Sequence, residues 1–329
     1  AIDRAIERAK SEESDLILFP ELALCGYPPE DLLFEDDFLT SLEEHLERLL
    51  PTTCGIAAVI GTVRRENGRL YNSAAVIDDG KLIGFYDKWR LPTYDVFNEW
   101  RYFTPGTRAP TWHLADTKVG IAICEDIWEG EYDRDPLDEL AKGSLDILLV
   151  LSASPYHFDK PDQRIAVCRG AATRLGLPVV MASQVGANTS LIFDGYSLCL
   201  TADGEIAHIG AGFAEEVVTL EMGATHLSVP PRWDSIGDLY SALTLGLADY
   251  CRKSRFDTLL IGLSGGIDSA LVATLAADAL GPDRVTCVAL PSPYSSEGNL
   301  RDAEELATRL GVTFITLPIG DLFALFRSE

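Results

Sequence analysis

Basic residues are scarce. The sequence carries 27 lysines and arginines against 51 aspartates and glutamates, a formal net charge of −24. That excludes nucleic acid and an anionic membrane as partners, since neither would be attracted. No apolar run approaches the roughly 20 residues of a membrane span. There is no CxxC, and the five histidines never fall at metal-ligand spacing, so no zinc site is expected. The seven cysteines (Cys25, Cys54, Cys124, Cys168, Cys199, Cys251, Cys287) are odd in number and scattered. This is the pattern of a reducing cytoplasm, not of a disulfide framework. No signal peptide is visible. Ala1 already lies in a helical pattern, so targeting is not readable from this end.

What the chain does have is length for two domains, 329 residues at roughly 150 each, and 47% hydrophobic residues to build their cores. The stretch that organises the first domain is Val119-Gly120-Ile121-Ala122-Ile123-Cys124-Glu125-Asp126-Ile127-Trp128. An apolar run stops at a cysteine and two carboxylates follow, which reads as a buried strand delivering Cys124 to a sheet rim. A lone cysteine there is more often plain core. Two other strand ends alter that balance. The strand Asp15-Leu16-Ile17-Leu18-Phe19-Pro20 ends at Glu21, and the strand Leu82–Tyr86 ends at Asp87-Lys88-Trp89-Arg90-Leu91-Pro92. By themselves Glu21 reads as a solvated carboxylate and Lys88 as a snorkelling lysine. Together with a thiol they supply a base and a cation. Tyr94, Phe97, Trp100, Tyr102 and Phe103 then crowd a loop that carries Glu99, which suggests a pocket wall, with a packed loop as the alternative.

The surrounding pattern alternates. Residues 38–50 predict a helix with Leu39, Leu42, Leu46, Leu49 and Leu50 on one face. Strands are predicted over 55–63 and 70–77, and Asp78-Asp79-Gly80 predicts a hairpin turn before the return strand. Helices follow at 137–142 and 162–175, the second closed by Gly176. Further strands are predicted at 147–151, 179–184, 191–193, 196–201, 205–209 and 216–220. The alternation indicates mixed sheets covered by helices.

Phe19-Pro20-Glu21-Leu22, Lys88-Trp89-Arg90-Leu91-Pro92 and Ile123-Cys124-Glu125-Asp126-Ile127-Trp128, in that order, resemble the Glu–Lys–Cys sites of the nitrilase (carbon–nitrogen hydrolase) superfamily. The likeness runs from Ala1 to about Leu220 and implies an αββα sandwich, whose first strand would precede Ala1. It implies that Cys124 is the nucleophile, Glu21 the general base, and Lys88 with the N–H of Glu125 the oxyanion donors. It makes Glu99 an auxiliary group that orients the lysine. From glutamine-using relatives it implies that Tyr94, Glu125, Ser154 and Lys160 bind glutamine. Ser152 and Ser183 stand where such families often have asparagine.

Pro230-Pro231 reads as a linker, since neither proline can pair in a sheet, and divides the chain into domains 1–231 and 232–329. A helix is predicted over 234–251 with Asp234 or Ser235 as N-cap. A buried strand at 258–263 leads through Ser264-Gly265-Gly266-Ile267-Asp268-Ser269 into a helix at 270–280. Strand, glycine loop and helix form a grip for phosphate: glycines let backbone N–H groups approach, and the helix dipole favours the anion. Asp268 would repel bare phosphate, so a bridging Mg²⁺ is implied. No lysine follows the glycines, so this is not a Walker loop. Strand 285–290, helix 299–310 and strand 313–317 continue a βαβ pattern.

The loop resembles the pyrophosphatase loop of enzymes that split ATP to AMP and pyrophosphate. With Pro291-Ser292-Pro293-Tyr294-Ser295-Ser296-Glu297-Gly298 behind it, the chain resembles the glutamine-dependent NAD⁺ synthetase family. The resemblance implies a doubly wound parallel-sheet second domain, incomplete at Glu329, that binds ATP at Gly262, Leu263, Ser264, Gly265, Gly266, Ile267, Asp268 and Ser269. It implies Asp268 as a metal ligand, ATP with Mg²⁺ and no tightly bound organic cofactor. The implied substrates are glutamine, ATP and deamido-NAD⁺, in a cytoplasmic homo-oligomeric ligase. The alternative is a stand-alone amidase or nitrilase with a regulatory nucleotide-binding domain. A scaffold with decayed sites is a third reading, and the intact Glu21, Lys88, Cys124, Asp268 and both loop serines argue against it.

Overall fold

A computed structural model describes residues 1–130, 132–223 and 234–327, which form two compact units. One comprises Ala1–Gly186 with Phe193–Trp233, the other Ala187–Ile192 with Asp234–Glu329. The Pro230-Pro231 linker lies outside the described residues. No described helix is long and apolar enough to cross a membrane.

In the first unit α1 (Ile2–Ser11) leads to β1 (Leu16–Leu18), and α2 (Asp36–Leu49) to β2 (Ala57–Glu66), β3 (Arg69–Asp78) and β4 (Lys81–Asp87). These strands form a sheet in the order β1-β2-β3-β4, with β1 and β2 parallel and the rest antiparallel. The β3–β4 turn is the predicted hairpin. Asp79 and Gly80 have φ of +44° and +76°, the paired positive values that a tight two-residue hairpin turn requires. Next come β5 (Trp112–Leu114), β6 (Thr117–Ile123), α3 (Pro136–Leu140), β7 (Ile147–Ser152), α4 (Lys160–Leu175) and β8 (Val179–Ser183). The pair β9 (Val185–Asn188) and β10 (Leu191–Asp194) precedes β11 (Leu198–Leu200) and β12 (Ile206–Ile209). The second sheet runs β12-β11-β8-β7-β6-β5.

Period-two alternation explains the layers. On β2, Ala57 and Val59 face inward and meet Val119, Ile121, Ile123, Leu149 and Leu151 of the other sheet. Ala58 and Ile60, one residue out of step, pack instead on Ile6, Ala9, Leu46 and Leu49 of α1 and α2. Ala122, Leu148 and Val150 pack outward on Leu137, Leu140, Ile165 and Cys168 of α3 and α4. Helix, sheet, sheet, helix is the expected αββα sandwich.

One predicted strand is absent: residues 216–220 form no strand. Val218 and Leu220 are exposed there. Their β-forming character is local, and a strand also needs a partner edge to supply its hydrogen bonds.

The second unit holds α5 (Ser235–Ser254), β13 (Leu259–Gly262), α6 (Ile267–Leu280), β14 (Val285–Ala289), α7 (Glu297–Leu310), β15 (Thr313–Thr316) and α8 (Gly320–Arg327). Its three strands are parallel in the order β13-β14-β15. Ala273, Ala276 and Ala277 of α6 and Ala303 and Ala307 of α7 share one core with Val285 and Cys287. Small residues let these helices lie close to the sheet and to each other. The predicted βαβ run is therefore present, and α6 starts three residues earlier than its apolar pattern suggests.

Candidate active site

Three strand ends meet at one rim of the sandwich. Glu21 stands in the turn after β1, Lys88 follows β4, and Cys124 follows β6. Glu21 is fully buried and Lys88 is 1% exposed. The Lys88 ammonium donates to Oε1 of Glu21 and to Oε1 of Glu99, each at 2.7 Å. A buried cation survives only if paired. Burial opposes the Lys88 charge, but Glu21 and Glu99 outweigh it and hold its pKa well above the ordinary lysine value. Glu99 is pushed the other way, up to about 7, chiefly by burial and in part by Glu21, while Lys88 draws it down.

Further donors fix the carboxylates. Asn72 Nδ2 donates to Glu21 Oε1 at 2.7 Å and approaches Glu99 Oε2 at 3.5 Å, and the Ala153 N–H donates to Glu21 Oε2 at 2.9 Å. Tyr27 O–H donates to Glu99 Oε1 at 2.8 Å.

Cys124 is 5% exposed and opens a short 3₁₀ turn, Cys124–Ile127. Its φ is +43°, a strained value for a residue with a Cβ and one that concentrates at functional sites. Ser152 Oγ lies 3.8 Å from Sγ. Burial, then the negative charge of Glu21, push the thiol pKa up, while Lys88 pulls it down. The resting group is thus a thiol, within electrostatic reach of Glu21, Lys88, Glu125 and Glu99.

Beside the thiol, Glu125 accepts the hydroxyls of Tyr94 at 3.0 Å and Tyr132 at 2.8 Å. Burial and Glu125 raise both phenol pKa values, so both remain donors. Ser154 is buried just beyond β7. Lys160, at the start of α4, places its ammonium 4.0 Å from the centre of the Trp128 ring, a favourable cation–π geometry. Burial lowers its pKa. The structure therefore brings Glu21, Lys88 and Glu99 into direct contact around one cation. It puts Tyr94 on Glu125, and both Tyr94 and Lys160 within electrostatic reach of Cys124. Asn72, Tyr27 and Tyr132 are contacts the motifs did not reveal.

In the second unit Ser264–Ser269 follows β13 and runs into the first turn of α6. Ser264 Oγ and Ser269 Oγ are 3.0 Å apart, and the Ser264 N–H donates to Ser269 Oγ at 3.2 Å. Gly265 has φ of +81° and sits so close to α7 that a Cβ would lie 2.2 Å from the Asn299 carbonyl oxygen. Asp268 occupies the first turn of α6 and is exposed. Among the described residues no three His, Cys, Asp or Glu side chains gather as a metal cluster.

Comparison with known proteins finds matches to both parts of the chain. The carbon-nitrogen hydrolase family model matches residues 1–225, and the NAD synthase model matches residues 239–329. A glutamine-dependent NAD(+) synthetase of Synechocystis sp. is 38% identical over 343 residues, covering 97% of this chain and 61% of that protein. The structure of a glutamine-dependent NAD+ synthetase from Acinetobacter baumannii, in complex with ADP, superposes with a TM-score of 0.92 at 36% identity. It covers 99% of this chain and 62% of that one. A NitN amidase from Neterenkonia sp. AN1 shares the fold, with a TM-score of 0.55 at 23% identity over 64% of this chain and 80% of its own. The chain thus spans about three fifths of the two synthetases. With the sandwich, the Glu–Lys–Cys geometry and a family model over its first 225 residues in agreement, the chain belongs to the carbon–nitrogen hydrolase family.

Proposed function

We propose that the chain acts in a glutamine-dependent NAD⁺ synthetase, with Glu21, Lys88 and Cys124 as the glutaminase and Gly262–Ser269 as the grip for ATP. The observation that carries this is the presence, on one polypeptide, of a buried Glu–Lys–Cys cluster and a strand–glycine loop–helix turn whose geometry suits phosphate. The relatives bearing that activity match across both.

Glutamine is held as a zwitterion. Glu125, backed by Tyr94 and Tyr132, faces its ammonium, and Lys160 its carboxylate, with Ser154 beside the chain. Sγ of Cys124 attacks the side-chain amide carbon. The thiol proton moves to Glu21. Oε1 of Glu21 already accepts from Lys88 and Asn72, but Oε2 accepts only the Ala153 N–H, so one lone-pair site on Oε2 is open for it. Lys88 and the Glu125 N–H hold the oxyanion, each such donor contributing about 3 kcal/mol to the barrier reduction. Collapse breaks the C–N bond, and Glu21 returns the proton to the departing ammonia. Glu21 then deprotonates the water that cleaves the thioester, which regenerates the thiol and releases glutamate. Glu99 shares the Lys88 charge and keeps it beside Glu21.

At the second site the loop N–H groups and the Ser264 and Ser269 hydroxyls bind the ATP phosphates. The deamido-NAD⁺ carboxylate is adenylated with loss of pyrophosphate, and ammonia displaces AMP to form the amide. Asp268 offers one carboxylate, which suits Mg²⁺ because that ion takes few protein ligands alongside substrate phosphates. When bound, Mg²⁺ neutralises phosphate charge.

The test is NAD⁺ formation from deamido-NAD⁺ and ATP by the full-length polypeptide. Glutamine should support it in the parent, and only ammonium chloride in Cys124→Ala. Loss of synthesis from ammonium as well would make Cys124 structural. Glutamine hydrolysis indifferent to ATP and deamido-NAD⁺, with no NAD⁺ made, would favour the amidase alternative.

A further inference from the structure

Lys88 and Cys124 come from different sheets. Their sheets are joined by apolar packing, which is non-directional and does not set the height of one strand end against the other. The Ala153 N–H to Glu21 bond ties the sheets beside Glu21, and one carboxylate ties the Lys88 end directly to the Cys124 end. Asp126, fully buried, accepts the backbone N–H groups of Trp89 and Arg90 on Oδ1, both at 3.0 Å. Its Oδ2 accepts the Ile123 N–H at 3.0 Å and the Tyr86 O–H at 2.8 Å. The donors bracket Lys88 on one side and immediately precede Cys124 on the other. Arg90 closes the same junction from the opposite direction, donating to the carbonyls of Asp126 at 3.2 Å and Trp128 at 2.6 Å.

We propose that Asp126 is a positioning residue that registers the Lys88 ammonium against the Cys124 thiol by tying the two sheet ends together. This rests on the hydrolase reading of the site and adds a role outside the Glu–Lys–Cys set. The chemistry requires a carboxylate. Four donors converge on it, and a carboxylate offers about four acceptor sites. All four are used, so Asp126 has no capacity left to carry a proton in the reaction. Asparagine has the same shape but only one oxygen. It would leave two of the four buried donors unpaired and point an N–H₂ group at them.

The experiment compares the parent with Asp126→Asn and Tyr86→Phe in the full-length polypeptide, with folding followed by thermal melting. Two readouts are taken per titratable thiol. The first is kcat and KM for glutamine hydrolysis. The second is the pH profile of Cys124 alkylation by iodoacetamide, which requires no glutamine and so survives failure of the substrate reading. Displacement of reacting groups by about 1 Å costs on the order of 100-fold. Asp126→Asn should lower kcat by about that factor while KM changes much less. Its alkylation midpoint should move to higher pH, because the Lys88 charge that favours the thiolate has moved away. Tyr86→Phe removes one donor only and should shift both readouts in the same direction by less. It decides the matter if Asp126→Asn does not fold. A folded Asp126→Asn, or Tyr86→Phe in its place, with the parent's kcat per thiol and alkylation profile would overturn the proposal and leave Asp126 as ordinary structure. If the parent itself ignores glutamine, the substrate reading fails, and the alkylation profiles alone decide the role of Asp126.

Discussion

Gly61 and Glu21 are locked together by the absence of a side chain. A Cβ on Gly61 would lie 2.2 Å from the Pro20 carbonyl oxygen, 2.4 Å from the Leu22 nitrogen and 2.8 Å from the Glu21 carbonyl carbon. The turn that presents Glu21 lies flush on β2, and the Leu24 N–H donates to the Gly61 carbonyl at 3.0 Å. Gly61→Ala must therefore lift the turn. Overpacking of this kind costs about 1–3 kcal/mol, and the lifted Glu21 would lose its 2.7 Å contact with Lys88. The expected result is a lower melting temperature and a kcat for glutamine hydrolysis reduced by about 100-fold. An alanine variant with parental kcat would mean that Glu21 does not need this placement.

The Lys88 cluster predicts a pair of variants whose effects do not add. Lys88→Met removes the one cation between Glu21 and Glu99, and an uncompensated buried charge costs about 3–5 kcal/mol. The loss should be large at pH 8 and smaller at pH 5, where carboxyl protonation relieves it. Adding Glu99→Gln removes one of the two stranded carboxylates and should recover part of the stability, though not activity. Chemical denaturation of both variants at the two pH values measures the coupling. Strict additivity would rule out the shared charge.

The sandwich and its three strand ends were legible because each signal is local: an apolar run, then a carboxylate, an ammonium or a thiol. What stayed hidden depends on register. Asn72 reads as an ordinary polar residue until the β3–β4 pairing, with Ser73 opposite Asp87, brings it beside Lys88. Asp126 stood in the cysteine motif, yet three of its four donors come from the distant stretch Tyr86–Arg90. Gly61 had a usable signal, since glycine inside a strand marks close backbone approach. The expected strand at 216–220 failed for the converse reason, as its Val217-Val218 pattern says nothing about whether a partner edge is available.

Glu99 predicts a pH dependence of stability. Its pKa is raised from an ordinary carboxylate value to about 7, mainly by burial. A raised folded-state pKa means that the folded chain binds the proton more tightly than the unfolded chain. The stabilisation is full below the unfolded pKa of roughly 4.3 and is lost as pH rises through about 7. Glu99→Gln lacks this titration. The difference in unfolding free energy between variant and parent should therefore move in favour of the variant between pH 5 and pH 8, by about 3 kcal/mol if the whole shift is realised. A difference independent of pH over that range would show that Glu99 remains ionised throughout.

Gly265 offers a test confined to the second unit. Its φ of +81° disfavours any residue with a Cβ, and the added carbon would meet the Asn299 carbonyl oxygen at 2.2 Å. Alanine must therefore distort the loop or push α7 away, and in either case the N–H groups that would bind phosphate lose their aim. Glu21, Lys88 and Cys124 all belong to the other compact unit, so the thiol chemistry keeps its parts. In Gly265→Ala, ATP-dependent NAD⁺ formation should fall by at least about 100-fold with either glutamine or ammonium as donor, while alkylation of Cys124 by iodoacetamide proceeds at the parental rate. Thermal melting guards against a general loss of fold. If NAD⁺ formation survives in the folded variant, the Ser264–Ser269 loop is not where ATP is held, and the phosphate site must be sought elsewhere in the chain.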